Sequence, residues 1–486
     1  MGSGKDRDWT IGCLLLLFRR INAHGKAGNM REQNTRVPRR TFLKTAGAAA
    51  AVVGAPQLIP STALAAPGRK GANDRILVGH IGMGGRARGL YRELGGLRDK
   101  GESASVAVCD VDEKRLERAA KEVPGATPYR DYRYLLQRKD IDAVVIGTPD
   151  HWHGVHFVHS AEAGKHIYCE KPACCTIEES KAMVAAAKKA GIASQIGSQG
   201  RSQPEAYLMH RYLANGVVGK VDHVECFHYP SPVDTSHTPD GDPPPELDWD
   251  FWLGPLRWRP YNSKHLHGVF RWLLESGGGQ IRDRGAHVMS CAKYWMGADG
   301  QGPVTVEATG TPPNQGLWDS AVTMKVTYTF EDPDWVMTWT QMPMEEVSRR
   351  FPAEERSKEE TKQFSRISRP GYGAVYHGDK GECMHWGGDG GTWAERKVRQ
   401  WEPPAGAKDV YESPGHMEDW FVGIKTGKKC IMDIEYGAGV ANLCVLGNVS
   451  YILGRKLQWN EKNWEIVGDD EARRMMSRPQ RHPYHL

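Results

Sequence analysis

The chain has 486 residues, a net charge of +5 and an ordinary composition, with 40% hydrophobic and 25% charged residues. That length suffices for two or three domains with large cores, and the composition excludes a mostly disordered chain. Lysines and arginines are scattered along the body of the chain instead of gathering on one periodic face, which argues against a nucleic-acid-binding protein.

The N-terminal region has the parts of a twin-arginine export signal. Arg39 and Arg40 precede a short apolar stretch, and the Ala-rich run that follows ends in the small-x-small sequence at 63–65. This order predicts that residues 30–66 are a signal peptide, read by the twin-arginine export machinery. We therefore expect a periplasmic or otherwise exported protein.

Two details of this region stay open. Residues 1–29 fit no part of the signal, so we interpret them as an upstream extension and Met30 as the true start. Pro56 and Pro60 interrupt the apolar run, which makes it a poor membrane span, although an uncleaved anchor remains an alternative.

A glycine-rich turn follows the first predicted strand, residues 75–80. Gly82, Gly84 and Ala87 fit the G-x-G-x-x-G/A pattern of dinucleotide-binding proteins. Gly82 permits the tight turn, and Gly84 lets the backbone approach a pyrophosphate. The helix predicted over 86–99 would offer its N-terminal amides to the same phosphates.

The second predicted strand, residues 105–110, ends in an acid. The Asp110 carboxylate could accept hydrogen bonds from the adenosine ribose, which favours NAD over NADP. Its alternative role is the N-cap of the next helix. Arg115 lies close enough in sequence to leave NADP open.

Further strands continue the same alternation with helices. The apolar run 141–147 leads into T-P-D-H-W-H at 148–153, and the strand 165–169 leads into Glu-Lys-Pro at 170–172. Strand–helix alternation repeats about five times, which predicts a Rossmann-type, doubly wound parallel sheet over 73–200. The motifs all fall at strand C-termini, where such sheets bind ligands.

The pattern changes after residue 200. Residues 221–229 alternate like a strand with one exposed face, and several similar strands follow. We predict that 201–486 form a mixed α+β domain with a large, open-faced and mainly antiparallel sheet, which binds substrate and makes homo-oligomer contacts. Residues 345–369 are a charged insert.

A second chemical motif lies in this domain. Asp283 and His287 are four residues apart, so on a helix they would share a face. Together with Lys171 they would supply the groups that alcohol oxidation needs: one to position the hydroxyl, one to take its proton and one to orient that base. The structural alternatives are a surface ion-pair lysine, a helix N-cap and a satisfied core histidine.

No metal site is predicted. The cysteines lack zinc-type spacing. His151, His153 and His156 are close in sequence, but they lack the H-x-x-x-H spacing and clear acidic partners.

Seven motifs are distributed along most of the chain after the signal. They are I-G-M-G-G-R at 81–86, C-D-V-D at 109–112, T-P-D-H-W-H at 148–153, A-G-K-H-I-Y-C-E-K-P at 163–172, W-D-F-W-L-G-P at 249–255, G-G-G-Q-I-R-D-R-G-A-H at 277–287 and G-R-K-L-Q-W-N at 454–460. In these motifs the chain resembles the Gfo/Idh/MocA oxidoreductase family, in its exported branch. Members of that family oxidise or reduce sugars, inositols and related polyols with NAD or NADP, and a smaller branch hydrolyses glycosides by transient oxidation.

The resemblance implies residue roles. Lys171 would hold the reacting hydroxyl near the nicotinamide, Asp283 would orient the base or the substrate, and His287 would take the hydroxyl proton. The expected coenzyme-binding residues are Gly82, Met83, Gly84, Gly85, Arg86, Asp110, Thr148, Pro149, His151, His153, Glu170 and Lys171. The expected substrate-binding residues are Lys171, Arg271, Trp272, Asp283 and His287.

The chain departs from the family pattern at one point and adds a feature of its own at another. Ser290 stands where the family often has an acid, three residues after the histidine. Arg282 and Arg284 flank Asp283, where they could lower its pKa or bind an anionic group of the substrate.

We therefore expect an NAD(P)-dependent sugar or polyol dehydrogenase. Because no coenzyme pool exists outside the cytoplasm, export implies a tightly bound coenzyme loaded before transport. Two alternatives stay open: an NAD-dependent glycosidase, and a non-catalytic paralogue that keeps the dinucleotide as a fold element.

Overall fold

The computed structural model describes residues 75–350, 371–387 and 392–486. All of these lie within one compact unit, Thr62–Leu486. The predicted signal peptide and upstream extension lie outside the described residues, as does most of the predicted insert at 345–369. The boundaries predicted for the two domains stay predictions.

Six parallel strands form the first sheet, in the order β3-β2-β1-β4-β5-β6. The strands are β1 (Ile76–Ile81), β2 (Ser103–Cys109), β3 (Thr127–Tyr129), β4 (Ala143–Ile146), β5 (His166–Cys169) and β6 (Ser194–Ile196). The strand order reverses between β1 and β4, as it does in dinucleotide-binding folds. The predicted doubly wound parallel sheet is confirmed.

Helices cover both faces of this sheet. They are Gly85–Glu93, Gly95–Asp99, Glu113–Glu122, Tyr132–Leu136, His153–Glu162 and Ile177–Ala190. Along β4, Ala143 and Val145 pack in one apolar cluster and Val144 and Ile146 in another. A strand that is buried on both sides therefore has apolar residues at every position, as its sequence indicated.

Nine strands form the second sheet, in the order β13-β12-β11-β7-β10-β9-β8-β14-β15. They are β7 (Val221–His228), β8 (Thr305–Thr311), β9 (Thr323–Phe330), β10 (Trp335–Gln341), β11 (Tyr372–Gly378), β12 (Gly381–Gly387), β13 (Thr392–Ala394), β14 (Leu457–Asn460) and β15 (Glu465–Val467). Among the pairings with a described register, β7 and β10 are parallel and the others are antiparallel. The predicted mixed domain with a mainly antiparallel sheet is confirmed.

One face of this sheet is covered by helices. The helices Ala286–Trp295 and Ile434–Leu453 pack against this inner face. The other helices in this part of the chain are Pro204–Ala214, Trp249–Leu253, Met344–Arg349, Arg396–Arg399, His416–Thr426 and Asp470–Arg474. Along β9, Met324 and Val326 point inward and are buried, whereas Lys325 is exposed.

Among the described residues, the helix Ile434–Leu453 has the length and hydropathy of a membrane span. Of its most apolar stretch of 18 residues, 78% is buried inside the protein. It therefore serves as the central core helix of the second half. Asp433 caps its N-terminus, because the Asp433 side chain accepts a hydrogen bond from the amide of Glu435.

Candidate active site

A cavity of about 580 Å³ opens at the carboxyl ends of β1, β2, β4 and β5. The first half of the chain contributes the glycine turn and the loops after these strands. The second half contributes the aromatic pair Phe251 and Trp252, the segment 267–272 and the Asp283 turn. Ligand sites at the strand-order reversal are expected for open parallel sheets.

The glycine turn fits the phosphates of a dinucleotide. Gly82 has φ +80°, and a Cβ there would lie 2.8 Å from Thr148 Cγ2, so only glycine suits this position. The helix Gly85–Glu93 begins at Gly84 without a side-chain cap and without an acid in its first turn. Its N-terminal amides therefore face the cavity as an anion-binding site.

Asp110 lies at the end of β2 and lines the cavity. Its Oδ2 accepts a hydrogen bond from the Met83 amide at 2.8 Å, and its Oδ1 accepts one from the Asp112 amide at 3.0 Å. Burial raises the pKa of Asp110 despite these two bonds. Asp112, not Asp110, caps the following helix through the Arg115 amide, so the capping alternative for Asp110 is wrong.

Two predicted coenzyme contacts lie outside the cavity lining. The Met83 side chain is buried in an apolar cluster with Val108 and Leu116, so only its backbone belongs to the turn. His151 is fully buried, and its Nε2 lies 2.9 Å from the carbonyl oxygen of Trp252. These side chains serve the core and the contact between the two halves, because both are packed away from solvent.

The other predicted coenzyme residues line the cavity: Gly82, Gly84, Gly85, Arg86, Asp110, Thr148, Pro149, His153, Glu170 and Lys171. His153 connects two of the loops, with Nδ1 2.7 Å from the Pro172 carbonyl oxygen and Nε2 3.0 Å from that of Thr148. Glu170 accepts hydrogen bonds from Arg86 Nε at 2.7 Å and from Gln199 Nε2 at 3.0 Å. These contacts fix the loops after β4 and β5.

Lys171 and Asp283 meet across the two halves of the chain. Lys171 Nζ donates to Asp283 Oδ1 at 2.8 Å and to the Asp283 carbonyl oxygen at 2.9 Å. Both side chains are about nine-tenths buried, at 10% and 9% exposed. The lysine is therefore held by an interior ion pair that belongs to the cavity wall, which rules out the surface ion-pair alternative.

Two arginines complete the surroundings of Asp283. Arg271 Nε lies 3.0 Å from Oδ1, and Arg284 Nε lies 3.5 Å from Oδ2. Burial opposes ionisation of Asp283, but the charges of Lys171, Arg271 and Arg284 outweigh it and hold its pKa well below the ordinary value. Asp283 is therefore an ionised carboxylate at neutral pH.

His287 lines the same cavity and is 1% exposed. It lies in the first turn of the helix Ala286–Trp295, directly after the π-helical turn Ile281–Gly285 that holds Asp283. The structure thus brings Lys171, Asp283 and His287 to one cavity. Their chemical roles stay predictions.

Of the two arginines flanking Asp283, only Arg284 lines the cavity. Arg282 points the other way, where its Nη2 donates to the Cys174 carbonyl oxygen at 2.8 Å and contacts Cys175 Sγ at 3.0 Å. Neighbouring residues of a helical turn point in different directions, so the expectation for Arg282 is wrong. Arg271, with Trp272 beside it, lines the cavity as predicted.

Several cavity residues were not singled out from the sequence. Asp150 is 4% exposed, lines the cavity, and has its pKa raised by burial. It lies within the T-P-D-H-W-H motif, where an acid after a strand could have drawn attention to it. Among the other such residues are Tyr132, Phe251, Trp252, His267, Gly268 and Phe270. These residue types do not by themselves indicate a ligand-binding cavity, because aromatic and glycine residues are common in cores and loops.

The three neighbouring histidines are each engaged by the protein. His156 stacks on Trp152 at 4.4 Å between ring centroids, while His151 and His153 lie against backbone carbonyls. Within the ranges that the structure describes, no group of three or more His, Cys, Asp and Glu side chains could hold a metal ion.

Two parts of the chain match sequence families. Residues 76–198 match the Gfo/Idh/MocA oxidoreductase family with an NAD-binding Rossmann fold, and residues 227–343 match the C-terminal alpha/beta domain of the same oxidoreductases. The chain belongs to the Gfo/Idh/MocA oxidoreductase family. The first sheet and its helices thus form an NAD-binding Rossmann domain.

Curated relatives of this Gfo/Idh/MocA chain match over shorter stretches. The chain is 32% identical to levoglucosan dehydrogenase of Pseudarthrobacter phenanthrenivorans over 167 residues, 34% of this chain and 36% of the relative. It is 35% identical to a glycosyl hydrolase family 109 protein of Shewanella pealeana over 164 residues, 29% of this chain and 35% of the relative. The chain thus spans about a third of the length of these two relatives.

Solved structures of similar proteins agree with the fold. Levoglucosan dehydrogenase in complex with NADH has a TM-score of 0.54 at 19% identity, over 79% of this chain and 99% of that one. The WlbA dehydrogenase of Bordetella pertussis, in complex with NADH and UDP-GlcNAcA, has a TM-score of 0.55 at 19% identity, over 79% of this chain and 99% of that one.

Proposed function

We propose that this Gfo/Idh/MocA protein is an NAD-dependent oxidoreductase that acts on a CH–OH group of a sugar, inositol or related polyol. The observation that carries the proposal is the meeting of Lys171 and Asp283, at 2.8 Å, on the cavity that His287 also lines. Those are the groups that alcohol oxidation needs. The sugar dehydrogenases among the relatives support the substrate class.

When bound, NAD supplies the acceptor for the hydride that leaves the substrate carbon. Lys171 donates a hydrogen bond to the reacting hydroxyl and holds it in place. His287 takes the hydroxyl proton on a ring nitrogen. Asp283 stays ionised, fixes the Lys171 ammonium and stabilises the positive charge that His287 gains.

Gly82, Gly84 and Gly85 would carry the pyrophosphate on the uncapped helix N-terminus, and Asp110 would accept a hydrogen bond from the adenosine ribose. Because Asp110 presents a carboxylate where NADP would place a phosphate, we propose NAD as the preferred coenzyme.

Contacts at the adenosine end support a tightly bound coenzyme. The Glu113 amide donates to the Glu246 carbonyl oxygen at 2.9 Å, and Asp112 forms a β-bridge with Leu247. His267 Nε2 lies 3.7 Å from Asp112 Oδ2 and lines the cavity. A segment of the second half thus closes over the end of β2, and we infer that the coenzyme is held under it and exchanges slowly.

A second candidate function is NAD-dependent glycoside hydrolysis by transient oxidation. The match to glycosyl hydrolase family 109 proteins favours it, since it has a similar identity to the dehydrogenase match. Both functions use the same hydride acceptor and the same proton-transfer groups, so the substrate decides between them.

The twin-arginine motif at 38–44 supports export of the folded, coenzyme-loaded protein through the twin-arginine machinery. The outer face of the second sheet supports assembly of a homo-oligomer. Thr327 and Thr329 of β9, and Val336 and Thr340 of β10, are only partly buried there, so these positions could contact a partner subunit.

The experiment uses the purified full chain with its bound nucleotide. Sugars, inositols and aryl glycosides are screened for net coenzyme reduction and for release of the aryl group. Net reduction by a free sugar or polyol identifies a dehydrogenase. Aryl release without net reduction identifies the glycosidase. Bound NAD with neither reaction would contradict both and favour a non-catalytic paralogue.

A further inference from the structure

Asp150 is a buried acid of the cavity to which the proposed chemistry gives no role. It is 4% exposed, lines the cavity and begins the 3₁₀ turn Asp150–Trp152 that follows β4. Within the residues that the structure describes, no protein group donates a hydrogen bond to its carboxylate. A buried carboxylate is costly without hydrogen bonds, and here only the contents of the cavity can supply them. Such a group indicates a ligand that brings its own donors.

Two cationic residues of the cavity act on Asp150 through their charge but donate to other acceptors. Lys171 Nζ donates to Oδ1 and to the carbonyl oxygen of Asp283, at 2.8 and 2.9 Å. Arg271 donates to Asp283 Oδ1 through Nε at 3.0 Å and to the Gly268 carbonyl oxygen through Nη1 at 3.2 Å. Burial raises the pKa of Asp150, and the charges of Arg271 and Lys171 oppose that rise. Asp150 thus lies near the Lys171–Asp283 pair, with its oxygen atoms left for a ligand.

Contacts on two sides fix the turn that carries Asp150. His151 Nε2 lies 2.9 Å from the Trp252 carbonyl oxygen, and Trp152 Nε1 donates to the same oxygen at 3.0 Å. Arg478 Nη2 donates to the His151 carbonyl oxygen at 3.1 Å. The backbone that presents the carboxylate is therefore held in place before a ligand binds, which lowers the entropic cost of binding.

We propose that Asp150 determines substrate specificity by accepting a hydrogen bond from a second hydroxyl group of the substrate. This rests on the proposed function, in which Lys171 holds the hydroxyl that is oxidised. An aspartate carboxylate presents two acceptor oxygens, and a hydroxyl can donate to it in a charge-assisted hydrogen bond. The substrate is therefore a compound with at least two free hydroxyls, one at Lys171 and one at Asp150. A monohydric alcohol, or a sugar etherified at the second position, does not fit this site.

The first test compares ligands that differ by one hydroxyl group, on the unaltered protein loaded with NAD. Calorimetry measures the binding of D-glucose, D-galactose, D-xylose and myo-inositol, each against its monodeoxy derivatives. For at least one of these compounds we expect two different hydroxyls to matter, each weakening binding about ten-fold or more when it is removed, because a hydrogen bond to a charged group is lost. A single important hydroxyl, or no binding of any of these compounds, would overturn the proposal.

The second test assigns one of those hydroxyls to Asp150 with the variant Asp150→Asn. We expect the cost of removing that hydroxyl to shrink to about three-fold or less in D150N, while the cost at the other hydroxyl is unchanged. A merely structural role of Asp150 would weaken the parent compound and all its deoxy derivatives alike. Asp99→Asn is the matched control, because Asp99 is exposed at the end of the helix Gly95–Asp99 and outside the cavity lining. D99N should keep both costs.

The coenzyme is the other source of hydroxyl groups, and NAD binding to D150N without sugar separates the two. We expect NAD affinity to stay within a few-fold of the unaltered protein. A large loss of NAD affinity with unchanged costs of hydroxyl removal would assign the carboxylate to the coenzyme and overturn the proposal. If D150N does not fold, as circular dichroism would show, the comparison on the unaltered protein decides. Binding of a sugar through two hydroxyls without turnover would leave the role of Asp150 intact and contradict only the proposed oxidation.

Discussion

Lys171 and Asp283 lie 112 positions apart in the chain, yet their side chains meet at 2.8 Å between Nζ and Oδ1. The lysine follows β5 of the Rossmann sheet, and the carboxylate lies in a π-helical turn of the second half. This ion pair forms part of the cavity wall. In the proposed function it places an ammonium and an ionised carboxylate beside the reacting hydroxyl of the substrate.

Replacing Lys171 with methionine keeps the length of the side chain but removes its charge and its donors. Because Arg271 and Arg284 still neutralise Asp283, we expect K171M to fold and to bind NAD within a few-fold of the unaltered protein. The rate of substrate oxidation should fall by about 100-fold or more, since the hydroxyl loses its positioning group. Steady-state rates and NAD calorimetry measure the two effects. Lys189→Met, at an exposed site on the helix Ile177–Ala190, should change neither.

Replacing His287 with glutamine tests the proton acceptor. Glutamine keeps hydrogen-bonding groups but cannot take a proton at neutral pH, so we expect the turnover rate to fall about 100- to 10,000-fold. Coenzyme affinity should stay within a few-fold. His485→Gln is the control, because His485 is exposed near the C-terminus. Turnover of H287Q near that of the unaltered protein would rule out His287 as the base.

The glycine turn offers a test that separates folding from coenzyme binding. A Cβ at Gly85 would meet no protein atom within 4 Å, so Gly85→Ala should change the free energy of unfolding by less than about 1 kcal/mol. The pyrophosphate would occupy that space, so NAD affinity should fall about ten-fold or more. Gly96→Ala meets equally open space in the helix Gly95–Asp99 and should affect neither quantity. Unaltered NAD binding by G85A would contradict the proposed phosphate site.

Stability should decline as the solution becomes acidic. Burial lowers the pKa of His80, His151 and His385 to about 3 and that of His416 to about 4. In the unfolded chain a histidine binds its proton near pH 6.5, so between about pH 6.5 and 4 the unfolded state binds more protons than the native state. The free energy of unfolding therefore rises with pH in this window and is lost as pH falls.

Each such histidine contributes up to about 1.4 kcal/mol per pH unit. Urea unfolding at a series of pH values measures the slope. His385→Phe should reduce that slope, because phenylalanine has no group that titrates. His385 is fully buried and packs against rings such as Trp295, so a phenylalanine ring suits its surroundings. A free energy of unfolding that stays constant from pH 7 to about pH 4.5 would contradict the buried neutral histidines.

Local patterns predicted most of the first sheet. Strands such as β1 and β4 are short, apolar and followed by glycine or helix signals, so their predicted bounds agree with the structure within two residues. The edge strand β3 escaped notice, because Thr127–Tyr129 is three residues long and contains Pro128. Its pairing with β2 depends on the tertiary structure and leaves no periodic signal in sequence.

The candidate site was likewise predictable only in part from the sequence. The i, i+4 spacing of Asp283 and His287 and the position of Lys171 after a strand were visible in the sequence. The directions of neighbouring side chains were not: Arg282 turns toward Cys174, while Arg284 faces the cavity. Contacts between residues distant in sequence, such as that of His151 with Trp252, follow from the packing of the two halves.

A crystal structure of the full chain with NAD and a bound sugar or polyol tests the proposed chemistry at the level of atoms. We expect the nicotinamide to lie in this cavity, with the substrate carbon facing its C4 atom. The hydroxyl on that carbon should lie within hydrogen-bond distance of Lys171 and His287. A nicotinamide bound elsewhere, or a substrate hydroxyl that neither side chain reaches, would contradict it.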